Sequence, residues 1–176
     1  MKAAKRILWY LNKIGDLVHF YPTGDTFDLV CFADANFAGY QVERKSTSGM
    51  THFFGSSLIP WGTKKQNSVA PSTAKAEYVA AAAFYSQLLW IKQNLQEFGV
   101  IIKAIPFMCD NTSAVSMGKN LVQHKRTKRI DVRHHFLRDN VEKGNIVLTY
   151  CLTEEQIANI FTKDLRKYQF KSNGWS

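Results

Sequence analysis

Three acidic residues, far apart in the sequence, stand where a cation-binding site could form. Asp34 follows a predicted strand, Glu77 lies one or two turns into a predicted helix, and Asp110 follows a second predicted strand. Ligand sites in open α/β sheets assemble at strand ends. Three carboxylates meeting there would repel one another unless cations neutralised them. Oxygen ligands favour Mg²⁺ or Mn²⁺, and two such ions about 4 Å apart can promote hydrolysis of a phosphodiester.

Each of these acids also has an ordinary structural explanation. Asp34 could be a turn residue at the end of its strand. Glu77 could complement the dipole of its helix, and Asp110 with Asn111 could cap the helix that follows. The spacing alone therefore leaves open both a metal site and three unrelated structural acids.

The elements that must position these acids predict a mixed α/β domain. Arg44 to Gly49, rich in Ser and Thr, is predicted as a turn, and Thr153 is expected to cap a last helix. Tyr21 to Asp25 is a turn-rich joint and marks the expected domain boundary. Strands are predicted at 27–33, 50–54, 58–62, 105–109 and 146–152, and helices at 1–15, 72–98, 112–119, 131–143 and 153–165.

The composition indicates a folded, basic protein. Of 176 residues, 45% are hydrophobic, and Lys plus Arg number 23 against 14 Asp plus Glu, which gives a net charge of +9. Such an excess favours a polyanionic partner such as nucleic acid. The longest apolar stretch, 79–85, is too short to span a bilayer, so no membrane partner is expected. The N-terminus lacks a signal peptide, and three widely spaced cysteines match no zinc motif, which favours an intracellular, cytoplasmic or nuclear location.

Two basic segments are candidate phosphate-binding surfaces. Arg44, Lys45 and the hydroxyl of Ser46 form one, close to Asp34. The other lies between 119 and 138, where a solvated basic helix face is the alternative. His134 and His135 in this region are interpreted as packing or phosphate-contact residues, since paired metal ligands on a helix prefer a spacing of four. The expected nucleic-acid contacts of the second segment are Lys125, Arg126, Lys128, Arg129 and Arg133.

Seven motifs, in order, resemble the RNase H domain of copia-type retrotransposon polyproteins, especially those of plants. They extend from about Leu29 to Lys163, nearly the whole chain. Phe32 to Gly39 resembles the family's YSDADWAG, and His124 to Phe136 resembles HSRTKHIDIRHHF. The other matches are RKSTSG at 44–49, WGTKKQ at 61–66, STAKAEY at 72–78, CDN at 109–111 and TEEQIANIFTK at 153–163.

The resemblance implies an α/β RNase H-like fold with a mixed five-stranded sheet flanked by helices. It also implies hydrolysis of the RNA strand of RNA–DNA hybrids at a two-metal site holding Mg²⁺ or Mn²⁺. The family's catalytic and metal-binding acids map onto Asp34, Glu77 and Asp110, and its fourth acid maps onto Asn159. Residues 1–24 resemble the segment that connects reverse transcriptase to RNase H, so reverse transcriptase is an expected partner. Residues 25–168 are expected to form the RNase H-like domain, and residues 169–176 a C-terminal tail.

Asn159 is the departure that bears most on activity. Asparagine keeps a carbonyl oxygen but loses the negative charge, which should weaken one metal position. Glu155, one turn earlier on the same face of the predicted last helix, is a candidate substitute. Two alternatives stand beside the enzyme: a catalytically inactive nucleic-acid-binding module on the same fold, and a retroelement relic that needs its reverse transcriptase for stability. The fold alone does not separate them.

Overall fold

A computed structural model of the chain describes residues 26–119 and 132–165, together with Ala4, Lys5 and Leu8. Five strands form one sheet in this part of the chain. They are β1 (Leu29–Tyr40), β2 (Lys45–Phe54), β3 (Ser57–Lys65), β4 (Ile105–Cys109) and β5 (Ile146–Tyr150). The helices are α1 (Thr73–Glu97), α2 (Thr112–Lys119), α3 (Val132–Glu142) and a short 3-10 helix (Ile157–Phe161).

The sheet is mixed, with the strand order β3-β2-β1-β4-β5. β1 and β3 each pair antiparallel with β2, whereas β4 pairs parallel with both β1 and β5. The predicted fold class, a mixed five-stranded sheet flanked by helices, is confirmed. β1 and β4 are parallel neighbours, and β1 continues beyond the end of β4, to Tyr40.

A core of apolar side chains holds α1 against the sheet. Tyr85 and Leu88 of α1 are fully buried, as are Cys31 of β1 and Phe107 of β4. Near the start of α1 the contact is made by small residues, a buried cluster of Ala35, Ala70, Ala76 and Ala80. Side chains this small allow the helix to approach the strand closely. The close approach brings the first turns of α1 to the middle of β1, beside Asp34.

Several element predictions agree with the structure. The strand at 105–109 and the helix at 112–119 have the predicted bounds. α1 begins after Ser72, whose hydroxyl accepts a hydrogen bond of 3.2 Å from the backbone N–H of Lys75, as expected of an N-cap residue. The residues that follow α1 and α3, Gly99 and Gly144, have φ angles of +80° and +70°, which glycine adopts most easily.

Two predictions were wrong. Residues 45–49 are not a turn but the first half of β2, because strands pair with them on both sides: Thr47 lies opposite Asn36 on β1 and Lys65 on β3. The last predicted helix is a turn at 153–155 followed by the 3-10 helix. The predicted strand at 27–33 also extends further, to Tyr40.

Other expectations lie outside the described residues. These are the helix at 1–15, apart from three of its positions, the boundary at 21–25 and the tail at 169–176. Ala4, Lys5 and Leu8 are helical and exposed. Among the helices that the structure describes, none combines the length and apolar character needed to cross a membrane.

Candidate active site

The three predicted acids come from three elements that meet at one edge of the sheet. Asp34 lies on β1 and is fully buried, Glu77 lies in the second turn of α1 with 3% of its surface exposed, and Asp110 follows β4 directly. Phe32 of β1 is level with Met108 of β4. Extending this register by two residues brings Asp34 level with Asp110. The parallel pairing of two strands therefore explains why acids so distant in sequence are neighbours.

The surroundings of Glu77 strongly perturb its pKa. Its Oε1 accepts a hydrogen bond of 3.1 Å from the backbone N–H of Ala35, whereas its buried Oε2 has no hydrogen-bond partner among the described residues. Burial, followed by the negative charges of Asp34 and Asp110, raises the pKa of Glu77 to about 9. A bound cation would supply both the missing partner and the missing charge.

The residues present fit a divalent metal ion. Glu77, Asp110 and the thiol of Cys109 each offer a ligand atom, and these atoms lie within 4.8 Å of one another. Burial raises the pKa of Cys109 to about 12, so its sulfur is a neutral thiol and a poor ligand at neutral pH. The carboxylate oxygens are the hard ligands that Mg²⁺ and Mn²⁺ prefer.

Both carboxylate oxygens of Asp34 have partners within the protein. Its Oδ2 accepts a hydrogen bond from the hydroxyl of Thr162, and its Oδ1 lies 2.9 Å from Nζ of Lys163. Burial of the Lys163 ammonium lowers its pKa, but the hydrogen bond to Asp34 and the acidic charges around it outweigh burial and raise the pKa. The ammonium is therefore charged at neutral pH and lies against the acid cluster.

Asn159 lies beside this ion pair. Its side chain is 3% exposed, its Oδ1 accepts a hydrogen bond of 3.0 Å from Nζ of Lys163, and its Nδ2 donates to the carbonyl of Thr153 at 2.9 Å. Both polar atoms of the amide are thus satisfied. The asparagine is accommodated in the site without an unpaired polar group.

Gln156 attaches the segment that carries Asn159 and Lys163 to the sheet. Its fully buried side chain donates from Nε2 to the carbonyl of Ala33 at 3.0 Å and lies 3.4 Å from that of Met108. Gly49, opposite Asp34 on β2, adds a steric requirement. A Cβ atom there would lie 2.6 Å from Cγ2 of Thr162 and 3.0 Å from the carbonyl oxygen of Ala158. The segment packs against the sheet at a distance only glycine permits.

The proposed rescue by Glu155 is not supported by the structure. Glu155 lies in the turn before the 3-10 helix, is exposed, and its Oε2 accepts a hydrogen bond of 3.3 Å from the backbone N–H of Leu152. Because the predicted last helix does not form, Glu155 and Asn159 do not share a helix face. Glu155 therefore does not take the place that the resemblance gives to a fourth acid.

The structure describes only part of the expected nucleic-acid contacts. Arg44 is exposed, and Lys45 pairs with Glu43 at 2.6 Å. Ser46 departs from the prediction: its side chain is fully buried, and its hydroxyl accepts a hydrogen bond of 3.2 Å from the backbone N–H of Ala38, so it does not face a phosphate. Arg133 lies in the first turn of α3. Lys125, Arg126, Lys128 and Arg129 lie outside the described residues.

The two histidines of α3 have different surroundings. His134 is buried, its ring lies 5.1 Å from that of Tyr78, and its carbonyl accepts a hydrogen bond of 3.2 Å from the Tyr78 hydroxyl. His135 is exposed. His134 therefore packs between α3 and α1, which is one of the two roles that the sequence analysis gave it.

Sequence reasoning missed three residues of the site: Gln156, Thr162 and Lys163. Each side chain contacts Ala33 or Asp34, which lies more than a hundred residues earlier in the sequence. All three lie within the matched segment at 153–163, which was the only available signal.

The sequence of the chain is similar to one segment of much longer proteins. It is 36% identical, over 161 residues, to the retrovirus-related Pol polyprotein from transposon TNT 1-94 of Nicotiana tabacum, covering 86% of this chain and 12% of that protein. Identity to the Pol polyprotein from transposon RE2 of Arabidopsis thaliana is 35% over 171 residues, covering 97% and 12%. The chain thus spans about an eighth of the length of these relatives. No model of a known protein family matches it.

Among solved structures, the fold is similar to RNase H domains. The N-terminal RNase H domain of rv2228c from Mycobacterium tuberculosis superposes with a TM-score of 0.56 at 14% identity, covering 84% of this chain and 99% of that one. LC11-RNase H1, isolated from compost, superposes with a TM-score of 0.52 at 14% identity, covering 78% and 94%. At such identities the likeness establishes the fold alone.

Proposed function

We propose, for this RNase H-like domain of the retrotransposon Pol polyprotein family, an enzymatic function. The chain hydrolyses the RNA strand of RNA–DNA hybrids with Mg²⁺ or Mn²⁺, and Asn159 weakens this activity. One observation carries the proposal. Among the described residues, the buried Oε2 of Glu77 has no hydrogen-bond partner, and burial, followed by the charges of Asp34 and Asp110, raises the pKa of Glu77 to about 9, an arrangement that a bound cation would relieve.

Asp34, Glu77 and Asp110 are the proposed metal ligands. Two divalent cations held there would promote attack of water on the phosphodiester and stabilise the leaving oxygen. The chain supplies orientation: the Ala35 N–H fixes one oxygen of Glu77, and Gln156 fixes the ends of β1 and β4 relative to the 3-10 helix. At the fourth position Asn159 offers one neutral oxygen where the family has a charged one, and the affinity for one cation falls accordingly.

Nucleic acid is the proposed polyanionic partner. Arg44 lies on the turn that connects β1 to β2, and Arg133 lies at the start of α3. With the basic residues at 125–129, they would contact the phosphate backbone without reading base sequence. The reverse transcriptase of the parent polyprotein is the proposed neighbour of residues 1–24. An intracellular location, cytoplasmic or nuclear, is proposed from three buried free cysteines.

The second candidate function is a nucleic-acid-binding module without catalysis. Asn159 favours it, since its amide is fully satisfied by Lys163 and Thr153 without any metal. Such a module would bind a hybrid in a salt-sensitive manner and never cut it.

Cleavage of a labelled RNA–DNA hybrid separates the two functions. The native chain is assayed with Mg²⁺ and with Mn²⁺, beside Asp34→Asn and a matched control, Asp139→Asn, at an exposed acid of α3. We expect slow cleavage by the native chain and by the control, and loss of cleavage in Asp34→Asn. If the folded proteins bind the hybrid and none of them cleaves it, the proposed enzymatic function is wrong and the binding module takes its place.

A further inference from the structure

The side chain of Lys163 lies where a cation bound by Asp34 would lie. Its Nζ is 2.9 Å from Oδ1 of Asp34 and 3.0 Å from Oδ1 of Asn159. Asp34 is a proposed metal ligand, and Asn159 stands at the fourth position of the proposed metal site. One ammonium thus occupies the two oxygens that a metal ion between these residues would require.

The backbone under Lys163 is held firmly. Thr162 donates its hydroxyl to Asp34, and its carbonyl accepts a hydrogen bond of 3.0 Å from the side chain of Asn36. The N–H of Lys163 itself donates to the carbonyl of Asn159 at 2.9 Å. Gly49 packs directly beneath this segment. Movement of the ammonium therefore has to come from its side chain and not from the chain that carries it.

The Lys163 side chain is able to leave the site. It is 38% exposed, whereas the Asp34 carboxylate that it neutralises is fully buried. A flexible four-carbon stem ends in a strongly hydrated ammonium, so solvent is an acceptable alternative for it. The Asp34 carboxylate is fully buried, so removing its cation without replacing it would be costly.

We propose that Lys163 is a tethered cation that competes with a divalent metal for Asp34 and the position-159 oxygen, so that metal binds there only when the ammonium swings out. This inference rests on the proposed function and assigns Lys163 a positioning and regulatory role. The neutral oxygen of Asn159 attracts both competitors less than a carboxylate would, and the divalent ion loses more because it carries twice the charge. The metal-free domain keeps Asp34 neutralised in this way.

Metal affinity measured by calorimetry tests the competition. Mn²⁺, and then Mg²⁺, is titrated into the native full chain, Lys163→Met and Lys163→Arg. Lys103→Met is the matched control, because it removes one exposed positive charge just before β4, at the opposite end of that strand from Asp110. We expect about tenfold tighter binding in Lys163→Met, since a hydrogen-bonded charge no longer has to be displaced. Lys163→Arg, which keeps the charge, and Lys103→Met should bind as weakly as the native chain.

Thermal unfolding in EDTA provides the second measurement. Lys163→Met should unfold at a lower temperature than the native chain without metal, and should gain more stability from added Mn²⁺. Equal or weaker metal binding by a folded Lys163→Met would overturn the inference. Absence of binding in both proteins would overturn it too, because Lys163 would then not be the obstacle. The proposed hydrolysis is judged separately, by the effect of Asp34→Asn on hybrid cleavage.

Discussion

The charge state of Glu77 should make the metal-free protein less stable as pH rises. The pKa of Glu77 in the folded state, about 9, lies well above its ordinary value of 4.5. Between these values the folded protein retains a proton that the unfolded chain has lost. Stability is therefore greatest below the lower value and falls as pH increases through this window.

Glu77→Gln removes that dependence with little change of shape. Glutamine keeps an oxygen for the Ala35 N–H, and its amide can donate to the neighbouring carboxylates where Oε2 has no partner. One titrating proton contributes at most about 1.4 kcal/mol per pH unit. From about pH 6 to about pH 8, the native chain should thus lose up to about 3 kcal/mol relative to the variant.

Urea unfolding in EDTA at several pH values measures the effect. The native chain is compared with Glu77→Gln and with Glu142→Gln, a control at an exposed position of α3. We expect the control to follow the native chain, and Glu77→Gln to be the more stable protein at the highest pH. Saturating Mg²⁺ should flatten the native profile by replacing the missing charge. Parallel profiles for the native chain and Glu77→Gln would refute the reasoning.

Three further substitutions test the elements that position the site. Gly49→Ala should lower the free energy of unfolding by about 1–3 kcal/mol and reduce metal affinity, because its Cβ would collide with Thr162 and the Ala158 carbonyl. A variant with the urea midpoint and the metal affinity of the native chain would contradict the tight packing. Gln156→Ala should cost about 1–3 kcal/mol, since it leaves the carbonyls of Ala33 and Met108 without their side-chain donor; a calorimetric scan that shows no loss would mean that Gln156 does not hold the segment. Ser72→Ala should cost about 1 kcal/mol through the lost helix cap while leaving the affinity for Mn²⁺ unchanged, and an unchanged unfolding free energy would count against the cap.

The sequence predicted those elements whose signals are local. The 105–109 strand is a short apolar run, and α1 is a long helix with a serine cap and a terminal glycine. For such local features, neighbouring residues contain nearly all the relevant information. The spacing of Asp34, Glu77 and Asp110 also allowed three unrelated acids, and their common site was predicted from the family motifs. Asp34 lies within β1 and not at its end.

The errors arose where distant partners decide the local conformation. Residues 45–49 look like a turn, but pairing with β1 and β3 makes them a strand. Thr153 to Leu165 looks like a capped helix, but Gln156 extends to β1 and β4 and holds a turn and a 3-10 helix instead. Lys163 was overlooked for the same reason, since its role depends on Asp34, 129 residues away.

Hybrid cleavage by Asn159→Asp beside the native chain tests the central claim most directly. The claim is that a metal site built on Asp34, Glu77 and Asp110 is limited by the charge missing at 159. The revertant loses the hydrogen bond from Asn159 to the Thr153 carbonyl, so its folding is checked first. We predict that the folded revertant cleaves at least about tenfold faster than the native chain at limiting Mg²⁺. A folded revertant that cuts no faster, or not at all, would contradict the account.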